Sequence, residues 1–315
     1  MRYDYVSVGF YTFDCLGWPV AEIPPGGGTV FIDDLTMAVS GAAGTAAIVA
    51  AKMGLKTLAV GGFGRDMMGD WAVSRLESFG IDTSGLQRLQ GVPTSSSIVL
   101  TRTDGSRPAL HLKGATGHFV VDPQDYDRVT DTKVFHLGGV GLMDAMDGAP
   151  NAALMRHAKA RGCTTTVDIF AGSAADLPDV DAVLPYTDYF IPSVEEAQAL
   201  TGLTDLDAMA TFFLDRGAQA CVFTLGGDGA YYRDRKGLTF RIPAYDIDVR
   251  CTCGCGDVFN AGFATGLLNG MSPQDSVRLA QASSALNATG LGSQAGVVSL
   301  ADTLAFMKGC SVKAA

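Results

Sequence analysis

Short, strand-like segments alternate with longer helical patterns along most of this chain of 315 residues. The strand-like segments, rich in β-branched or aromatic residues, are 5–9, 57–61, 134–137, 164–169, 189–191 and 220–224. The segments with helical periodicity are 44–53, 70–79, 152–161, 194–200, 209–216, 257–268 and 273–289. Because parallel strands need long crossover connections, usually helical, the alternation predicts an α/β fold with a mostly parallel sheet covered on both faces, as in a three-layer sandwich.

Two regions interrupt this alternation. Residues 28–39 and 95–113 are rich in strand formers and have no helical pattern between their strands. The second region contains Thr103-Asp104-Gly105-Ser106, a hairpin signal, because Asp-Gly tolerates the positive φ that such turns require. We therefore predict a small β-sheet lid, with strands roughly within residues 11–39 and 94–115, attached to a single domain that spans residues 1–315.

The composition restricts the partners of this chain. A formal net charge of -10 disfavours nucleic acid and anionic lipid, so we expect neither a nucleic-acid nor a membrane partner. Seven scattered cysteines do not form a disulfide framework, and no secretory signal is apparent at the N-terminus. These features predict a cytoplasmic protein.

The most informative segment is Cys251-Thr-Cys-Gly-Cys-Gly-Asp-Val-Phe. Its glycine-rich turn leads into a helix that is predicted to open at Asp257. Unpaired amide N–H groups at such a turn, together with the helix dipole, form an anion hole suited to a phosphoryl group. A carboxylate at this place can accept the proton of an attacking alcohol. Taken alone, such a segment is more often a tight turn with a capping aspartate than a catalytic centre.

This segment resembles the Asp-Thr-x-Gly-Ala-Gly-Asp-x-Phe signature of ribokinase-like (PfkB) carbohydrate kinases. Four further segments resemble family elements in the same order: Ser40-Gly-Ala-Ala-Gly-Thr45, Gly61-Gly-Phe-Gly-Arg-Asp66 with Gly69, Glu196 ahead of Leu200-Thr-Gly202, and Thr224-Leu-Gly226 with Gly229. The resemblance covers essentially the whole chain. It implies a ribokinase-like fold and an ATP-dependent, Mg²⁺-requiring phosphorylation of a small sugar.

The resemblance also implies a role for each matching residue. Asp257 would be the general base, and the amides of Gly254, Cys255 and Gly256 would hold the γ-phosphate charge. The substrate-binding residues would be Asp14, at the end of the first strand, and Gly41, whose missing side chain would let the substrate approach the backbone. Glu196 would act on the magnesium ion through its water shell, because Mg²⁺ gives up water reluctantly.

Other assignments depend on position within the resemblance. Thr224, Gly226 and Gly229 would form the nucleotide-side turn. Asn287 lies where the family's C-terminal helix approaches adenine, although an asparagine in a helix can simply form a local hydrogen bond. Thr45 stands where the family usually has a sugar-binding asparagine.

The predicted lid and one strand end supply three further substrate-binding candidates. His111 and Lys113, with Arg107 nearby, could meet a polar or anionic end of the substrate, or could form a solvated edge. Asp168 ends a predicted strand, where side chains of α/β proteins reach the ligand.

The signature departs from the family at its cysteines. Cys251 replaces an aspartate in the region where potassium-activated relatives bind a monovalent cation. A neutral thiol is a poor ligand for a hard cation, so we expect little response to K⁺. Alternation in an extended strand would place Cys251, Cys253 and Cys255 on one side, and a helix N-terminus would lower the pKa of the Cys255 thiol.

The sequence is compatible with several alternative functions. A nucleoside kinase of the same family and a catalytically silent sugar or nucleotide sensor on the same fold both fit the motifs. No Gly-x-x-x-x-Gly-Lys-Ser/Thr occurs, which disfavours a P-loop NTPase. The sequence leaves open the substrate, the acceptor hydroxyl and whether the chain forms a homodimer through its lid.

Overall fold

The computed structural model describes residues 1–313, and in that range it contains thirteen strands and ten α-helices. The strands are β1 (Tyr3–Gly9), β2 (Thr12–Trp18), β3 (Asp34–Ser40), β4 (Thr57–Gly64), β5 (Asp82–Leu89), β6 (Ser96–Leu100), β7 (Ala109–Leu112), β8 (Thr132–Val140), β9 (Thr164–Ile169), β10 (Tyr189–Phe190), β11 (Ala220–Thr224), β12 (Ala230–Asp234) and β13 (Thr239–Ile242). The helices are α1 (Ala42–Lys52), α2 (Met67–Glu77), α3 (Tyr126–Val129), α4 (Ala149–Ala160), α5 (Leu177–Val183), α6 (Val194–Thr201), α7 (Leu206–Asp215), α8 (Cys255–Leu268), α9 (Pro273–Ala288) and α10 (Leu300–Gly309).

Nine strands form the central sheet, in the order β13-β12-β11-β10-β9-β8-β1-β4-β5. Pairing is parallel from β11 across to β5, and β12 and β13 add an antiparallel edge. Every residue of β4 is buried, as expected for a strand covered by helices on both faces. The predicted mostly parallel sheet is confirmed.

Alternate side chains of β1 enter different cores. Tyr5 packs with residues of α1 and α8 on one face of the sheet. Val6 and Val8 belong to the core on the other face, which is covered by α4 to α7. This two-sided burial fixes the register of β1, because a slip of one residue would exchange the two faces. The carboxyl end of β1 consequently meets the amino ends of α1 and α8 at one edge of the sheet.

A second sheet, called here the lid sheet, has the order β3-β2-β6-β7. Leu16 of β2 packs on Cys251 and Cys253, so one face of the lid sheet lies against the signature segment. Two expectations are corrected here. Asp14 lies within β2 of the lid sheet rather than at the end of the first strand, because β1 ends at Gly9. Of residues 28–39, only those from Asp34 onward are in a strand.

Hydrogen bonds of the Asp66 carboxylate connect α2 to the chain just before β6. Asp66 caps α2 by accepting a hydrogen bond from the Gly69 amide at 2.8 Å. The same carboxylate accepts hydrogen bonds from the Thr94 amide at 2.8 Å and the Thr94 hydroxyl at 2.7 Å. A Cβ on Gly69 would lie 2.4 Å from the Gly64 carbonyl oxygen. The segment from Gly64 to Gly69 therefore positions the chain where it enters β6.

Some elements differ from the prediction. The helix of the signature begins at Cys255, so Asp257 is its third residue rather than its first. No predicted segment coincides with β5, β12, β13, α3, α5 or α10. Within residues 1–313, no helix is long and apolar enough to cross a membrane.

Candidate active site

The signature turn presents amide groups that have no protein acceptor. Gly254 adopts φ +67°, and a Cβ there would lie 2.8 Å from the Ser293 side chain. The Cys255 amide donates to the Thr252 carbonyl oxygen at 3.3 Å. Within residues 1–313, the amides of Gly254, Gly256 and Asp257 have no hydrogen-bond partner. A Cβ on Gly256 would meet no atom within 4 Å. The turn therefore has three backbone donors without acceptors, beside open space at Gly256, as an anion hole requires.

The carboxylate of Asp257 lies in the first turn of α8 and is partly accessible to solvent. Burial raises its pKa from the usual value to about 6, against the lowering effects of the Arg107 guanidinium, the Thr45 hydroxyl and Asp168. A carboxylate that titrates near 6 is ionised at neutral pH and still basic enough to accept a proton efficiently.

Two further carboxyl groups lie close enough to Asp257 to influence its charge. Asp168, in β9, accepts a hydrogen bond from the Ile169 amide at 2.8 Å. Burial and the negative charges of Asp257 and Glu196 raise the pKa of Asp168. Burial and the Asp257 charge also raise the pKa of Glu196, although Ser193 opposes this. The structure thus brings together Asp168, Glu196 and Asp257, although Asp168 and Asp257 are 89 positions apart in the sequence.

The fit of a magnesium ion depends on Glu196. One of its carboxylate oxygens accepts hydrogen bonds from the Ser193 amide at 2.9 Å and the Ser193 hydroxyl at 2.7 Å, which forms a capping box at α6. Within residues 1–313, no three His, Cys, Asp or Glu side chains are grouped to hold a metal directly. Three mutually repelling carboxyl groups nevertheless favour a nearby cation. The site therefore has the acidic character that suits a hydrated Mg²⁺.

Asp14 points from β2 with one unsatisfied oxygen. Its Oδ1 is buried and has no hydrogen-bond partner within residues 1–313. Burial raises the pKa of Asp14, and the hydroxyls of Ser40, Ser97 and Thr12 oppose this effect. A buried carboxylate oxygen without a partner is costly, and a substrate hydroxyl would satisfy it.

His111 and Lys113 have different surroundings at the lid sheet. Ser97 Oγ lies 3.0 Å from His111 Nδ1, and the imidazole ring packs edge-on against Phe10. Partial burial lowers the pKa of His111, and the Asp14 charge opposes this effect. Lys113 forms an ion pair with Asp144 instead. His111 therefore lies on the Asp14 side of the site, whereas the Lys113 charge is already paired.

Gly41 and Thr45 lie at the start of α1. Gly41 adopts φ +84°, and a Cβ there would lie 2.5 Å from the Phe10 carbonyl oxygen. The absence of a side chain at Gly41 is thus required by the protein backbone itself, whatever its distance from a substrate. The Thr45 hydroxyl is fully buried, faces Asp257 and has no partner at hydrogen-bond distance within residues 1–313.

The residues predicted on the nucleotide side form a turn after β11. The Leu225 amide donates to the Gly229 carbonyl oxygen at 2.8 Å, which closes the turn. A Cβ on Gly229 would lie 1.9 Å from the Ile242 carbonyl oxygen, whereas one on Gly226 would meet open space. Thr224 bridges to Ser193, so this turn lies beside the amino end of α6.

Asn287 supports the signature turn from α9. The residue is fully buried, and its side-chain amide donates to the Cys253 carbonyl oxygen at 2.7 Å. Its Oδ1 has no hydrogen-bond partner within residues 1–313. The observed contacts are therefore with the protein, and contact with adenine stays a prediction.

The expectations for the cysteines are corrected. Residues 251–254 are irregular and turn, so the three cysteines do not alternate along a strand. Burial raises the pKa of the Cys255 thiol, in spite of its place at the helix start. Its Sγ donates to the Ser284 carbonyl oxygen at 3.6 Å. Burial thus outweighs the helix dipole, and Cys255 is not an activated thiol.

Two features of the site were missed in the sequence. Tyr5 stacks on His136 beneath the carboxyl groups, and His136 Nδ1 lies 2.9 Å from the Thr166 hydroxyl. Burial lowers the pKa of His136 to about 3, so its ring is neutral. Arg107 reaches Thr252 across the gap between the lid sheet and the signature. The Asp-Gly hairpin signal placed Arg107 on the lid but carried no information about this contact.

Comparison with known proteins agrees with this architecture. The pfkB family of carbohydrate kinases matches residues 19–299. The chain is 26% identical to the ribokinase of Haemophilus influenzae over 289 residues, which cover 90% of this chain and 91% of that protein. This chain belongs to the pfkB family of carbohydrate kinases.

Solved structures share the fold. The Arabidopsis thaliana ribokinase, complexed with ribose and ATP, superposes with a TM-score of 0.82 at 21% identity and covers 98% of this chain and 99% of its own. A structure from E. coli, described as ribokinase II with ATP and Mg²⁺, superposes with a TM-score of 0.82 at 21% identity, covering 97% and 99%. The ribokinase-like α/β fold with its small additional sheet is confirmed.

Proposed function

We propose that this chain transfers the γ-phosphoryl group of ATP to a hydroxyl of a small sugar or sugar-like substrate, with Asp257 as general base. The observation that carries the proposal is the combination, at the amino end of α8, of a carboxylate with pKa about 6 and the unpaired amides of Gly254, Gly256 and Asp257. Proton acceptor and anion hole then lie within one turn of helix.

The reaction follows from these positions. The substrate hydroxyl gives its proton to the Asp257 carboxylate as its oxygen attacks the γ-phosphorus, and the bond from that phosphorus to the bridging oxygen of ADP breaks. The unpaired amides donate hydrogen bonds to the transferring phosphoryl oxygens, whose charge is spread over three atoms. Asp14 accepts a hydrogen bond from another substrate hydroxyl and so orients the acceptor.

We propose that ATP is the phosphoryl donor at this site and that Mg²⁺ is its cofactor. Relatives of this fold have been solved with ATP, and one with ATP and Mg²⁺. The turn of Thr224, Gly226 and Gly229 would border the nucleotide, and Glu196 would hold the hydrated ion. The ion, when bound, shields the negative charge of the triphosphate. Asp168 would then bind substrate or share the Asp257 proton.

The substrate is proposed only by class. The unsatisfied Asp14 oxygen and the nearby His111 suit a polyhydroxylated ligand. A nucleoside acceptor has the same hydroxyl chemistry and remains the second candidate. A silent sensor would bind the same ligands but would gain nothing from a basic carboxylate beside an anion hole.

A coupled assay of ADP release tests the proposal. Sugars, sugar acids and nucleosides are each added with Mg·ATP, and the wild-type chain is compared with Asp257→Asn. We expect turnover on at least one acceptor and a loss of about 100-fold or more in the variant. Binding of sugar or ATP by calorimetry, without turnover on any acceptor, would instead indicate the sensor.

We further propose that the chain forms a homodimer through the lid sheet. Met37, Ile98 and Leu110 are exposed on its outer face, and the strand register aligns them in a row with Cys15. A second copy would cover this apolar row. Sedimentation velocity should give a dimer for the wild-type chain and a monomer for Ile98→Asp. A monomeric wild-type chain would contradict the proposal.

A further inference from the structure

We propose that Arg107 is a further catalytic residue, whose guanidinium is carried by the lid and neutralises charge on the transferring phosphoryl group. This inference depends on the proposed function, because it requires a phosphoryl group at the anion hole. Arg107 lies in the hairpin connection between β6 and β7, and so belongs to the lid sheet rather than to the central sheet.

A hydrogen bond from Arg107 connects the hairpin to the signature segment. Arg107 Nε donates to the Thr252 hydroxyl at 3.2 Å. The Thr252 hydroxyl in turn donates to the Gly105 carbonyl oxygen at 3.5 Å. Gly105 is buried with φ +82°, and a Cβ there would lie 3.3 Å from Val249. The hairpin turn therefore lies against residues 249–252, near Val249 at one end and Thr252 at the other, just before the anion hole.

The charge of Arg107 has no protein partner. Within residues 1–313, neither of its Nη atoms makes a hydrogen bond or an ion pair, and the residue is exposed. Its positive charge lowers the pKa of the nearby Asp257. A guanidinium offers a planar fork of donors that matches two phosphoryl oxygens at once. Such a group beside unpaired amides completes a site for an anion.

The position of Arg107 favours the phosphoryl group over the far end of the acceptor. Its charge acts on Cys253, Cys255 and Asp257 of the signature. The titratable side chain that faces Asp14, on the acceptor side, is the His111 imidazole. As the acceptor oxygen bonds to phosphorus and the bond to ADP breaks, the Arg107 N–H groups donate to the phosphoryl oxygens between them.

Three variants test this role with the acceptor that the panel identifies. Arg107→Met should lower kcat by about 100-fold or more while the KM for the acceptor changes little. Arg107→Lys keeps the charge but loses the fork, so its kcat should fall by about 10-fold. Arg102→Met is the matched control, because Arg102 is on the same hairpin but lines a separate cavity of about 200 Å³. Its kcat should match the wild type.

Two kinetic outcomes would overturn the inference: a raised acceptor KM with unchanged kcat, or equal kcat in the Met variants of Arg107 and Arg102. Binding of MgADP with aluminium fluoride provides a readout that needs no turnover. Arg107→Met should weaken this ternary complex by at least about 10-fold and leave MgADP alone unaffected. Equal affinity would overturn the inference. A wild-type chain that binds no MgADP, or that forms the ternary complex without turnover on any acceptor, would refute the proposed function and this role with it, whereas a wild-type chain that turns over and is matched by Arg107→Met would refute only this role.

Discussion

The side-chain amide of Asn287 donates a 2.7 Å hydrogen bond to the carbonyl oxygen of Cys253. The same nitrogen lies 3.5 Å from Cys255 Sγ. Asn287 is in α9, and both cysteines belong to the turn that leads into α8. The buried side chain of Asn287 thus supports the turn that carries the unpaired amides. The shape of the anion hole depends on this contact as well as on its glycines.

Replacing Asn287 tests the importance of this support. Asn287→Ala leaves the Cys253 carbonyl buried without a donor, so we expect a loss of about 1 to 3 kcal/mol in the free energy of unfolding. Activity should fall further than stability accounts for, because the amides move. Urea denaturation and ADP release measure the two effects. The control Asn269→Ala removes a similar hydrogen bond to the Thr265 carbonyl at the exposed end of α8 and should leave activity unchanged. Equal activities in Asn287→Ala and Asn269→Ala would contradict a supporting role for Asn287.

Two glycines of the same turn should respond differently to alanine. Gly256→Ala places a methyl group where the protein has no atom within 4 Å, so folding should be unaffected. The methyl group would occupy space beside the phosphoryl group, and we expect turnover to fall by about 10-fold or more. Gly254→Ala should instead destabilise the fold, because φ is +67° and Ser293 lies 2.8 Å from the new Cβ. Thermal melts and ADP release distinguish them; a stable, fully active Gly256→Ala would be inconsistent with an anion hole here.

The pH dependence of turnover should reflect Asp257. A base must be ionised to accept a proton, and the pKa of this carboxyl is about 6. We therefore expect kcat/KM to be level above about pH 7 and to fall about tenfold per pH unit well below 6. The measurement is a profile from pH 5 to 9 in buffers of constant ionic strength. A profile still level at pH 5 would mean that the base titrates lower than the structure indicates.

The ionised carboxylate of Asp257 should also lower the free energy of unfolding. Its folded-state pKa of about 6 exceeds its ordinary value of 3.8, so its favourable contribution is complete below about pH 4 and is lost as pH rises through 6. Asp257→Asn carries no such charge. We expect the variant to be more stable than the wild type at pH 8, by up to about 3 kcal/mol, and nearly equal at pH 4. Denaturation at the two pH values measures the difference; a variant less stable at pH 8 would refute this electrostatic account.

Turnover should be nearly independent of potassium. Cys251 is fully buried, and its Sγ accepts a hydrogen bond from the Cys253 amide at 3.4 Å. Hydrogen bonding from Cys253 lowers the pKa of Cys251 to about 5, so the neutral thiol expected from the sequence is not favoured. A sulfur atom, ionised or not, still offers no oxygen ligand to a hard cation. Replacing Na⁺ by K⁺ at fixed ionic strength should change kcat by less than about two-fold. A several-fold rise would show that other oxygen atoms form a cation site.

The geometry of the signature turn was predictable from the sequence, because it depends on neighbouring residues. The unpaired amides and Asp257 lie within four consecutive residues, and the turn geometry follows from the glycines. Strand alternation likewise placed Asp168 at the end of β9. Period-2 and period-3.6 patterns are properties of short segments, so the parallel sheet was predictable from them.

Long-range contacts were beyond such reasoning. Arg107 meets Thr252 across 145 positions, and Asn287 meets Cys253 across 34. The acidity of Cys255 was misjudged because burial, which depends on the packing of α9, outweighed the helix dipole. Asp14 was placed on the wrong strand because the short break between β1 and β2 carries no strong turn signal.

The most direct test is detection of the phosphorylated product itself. The most active acceptor is incubated with Mg·ATP, and ³¹P NMR follows the γ-phosphorus of ATP into a phosphoester. The account predicts a new phosphoester resonance that grows with ADP in the wild-type chain and is absent on the same timescale in Asp257→Asn. Equal phosphoester formation in both chains, or ADP accompanied only by inorganic phosphate, would contradict it.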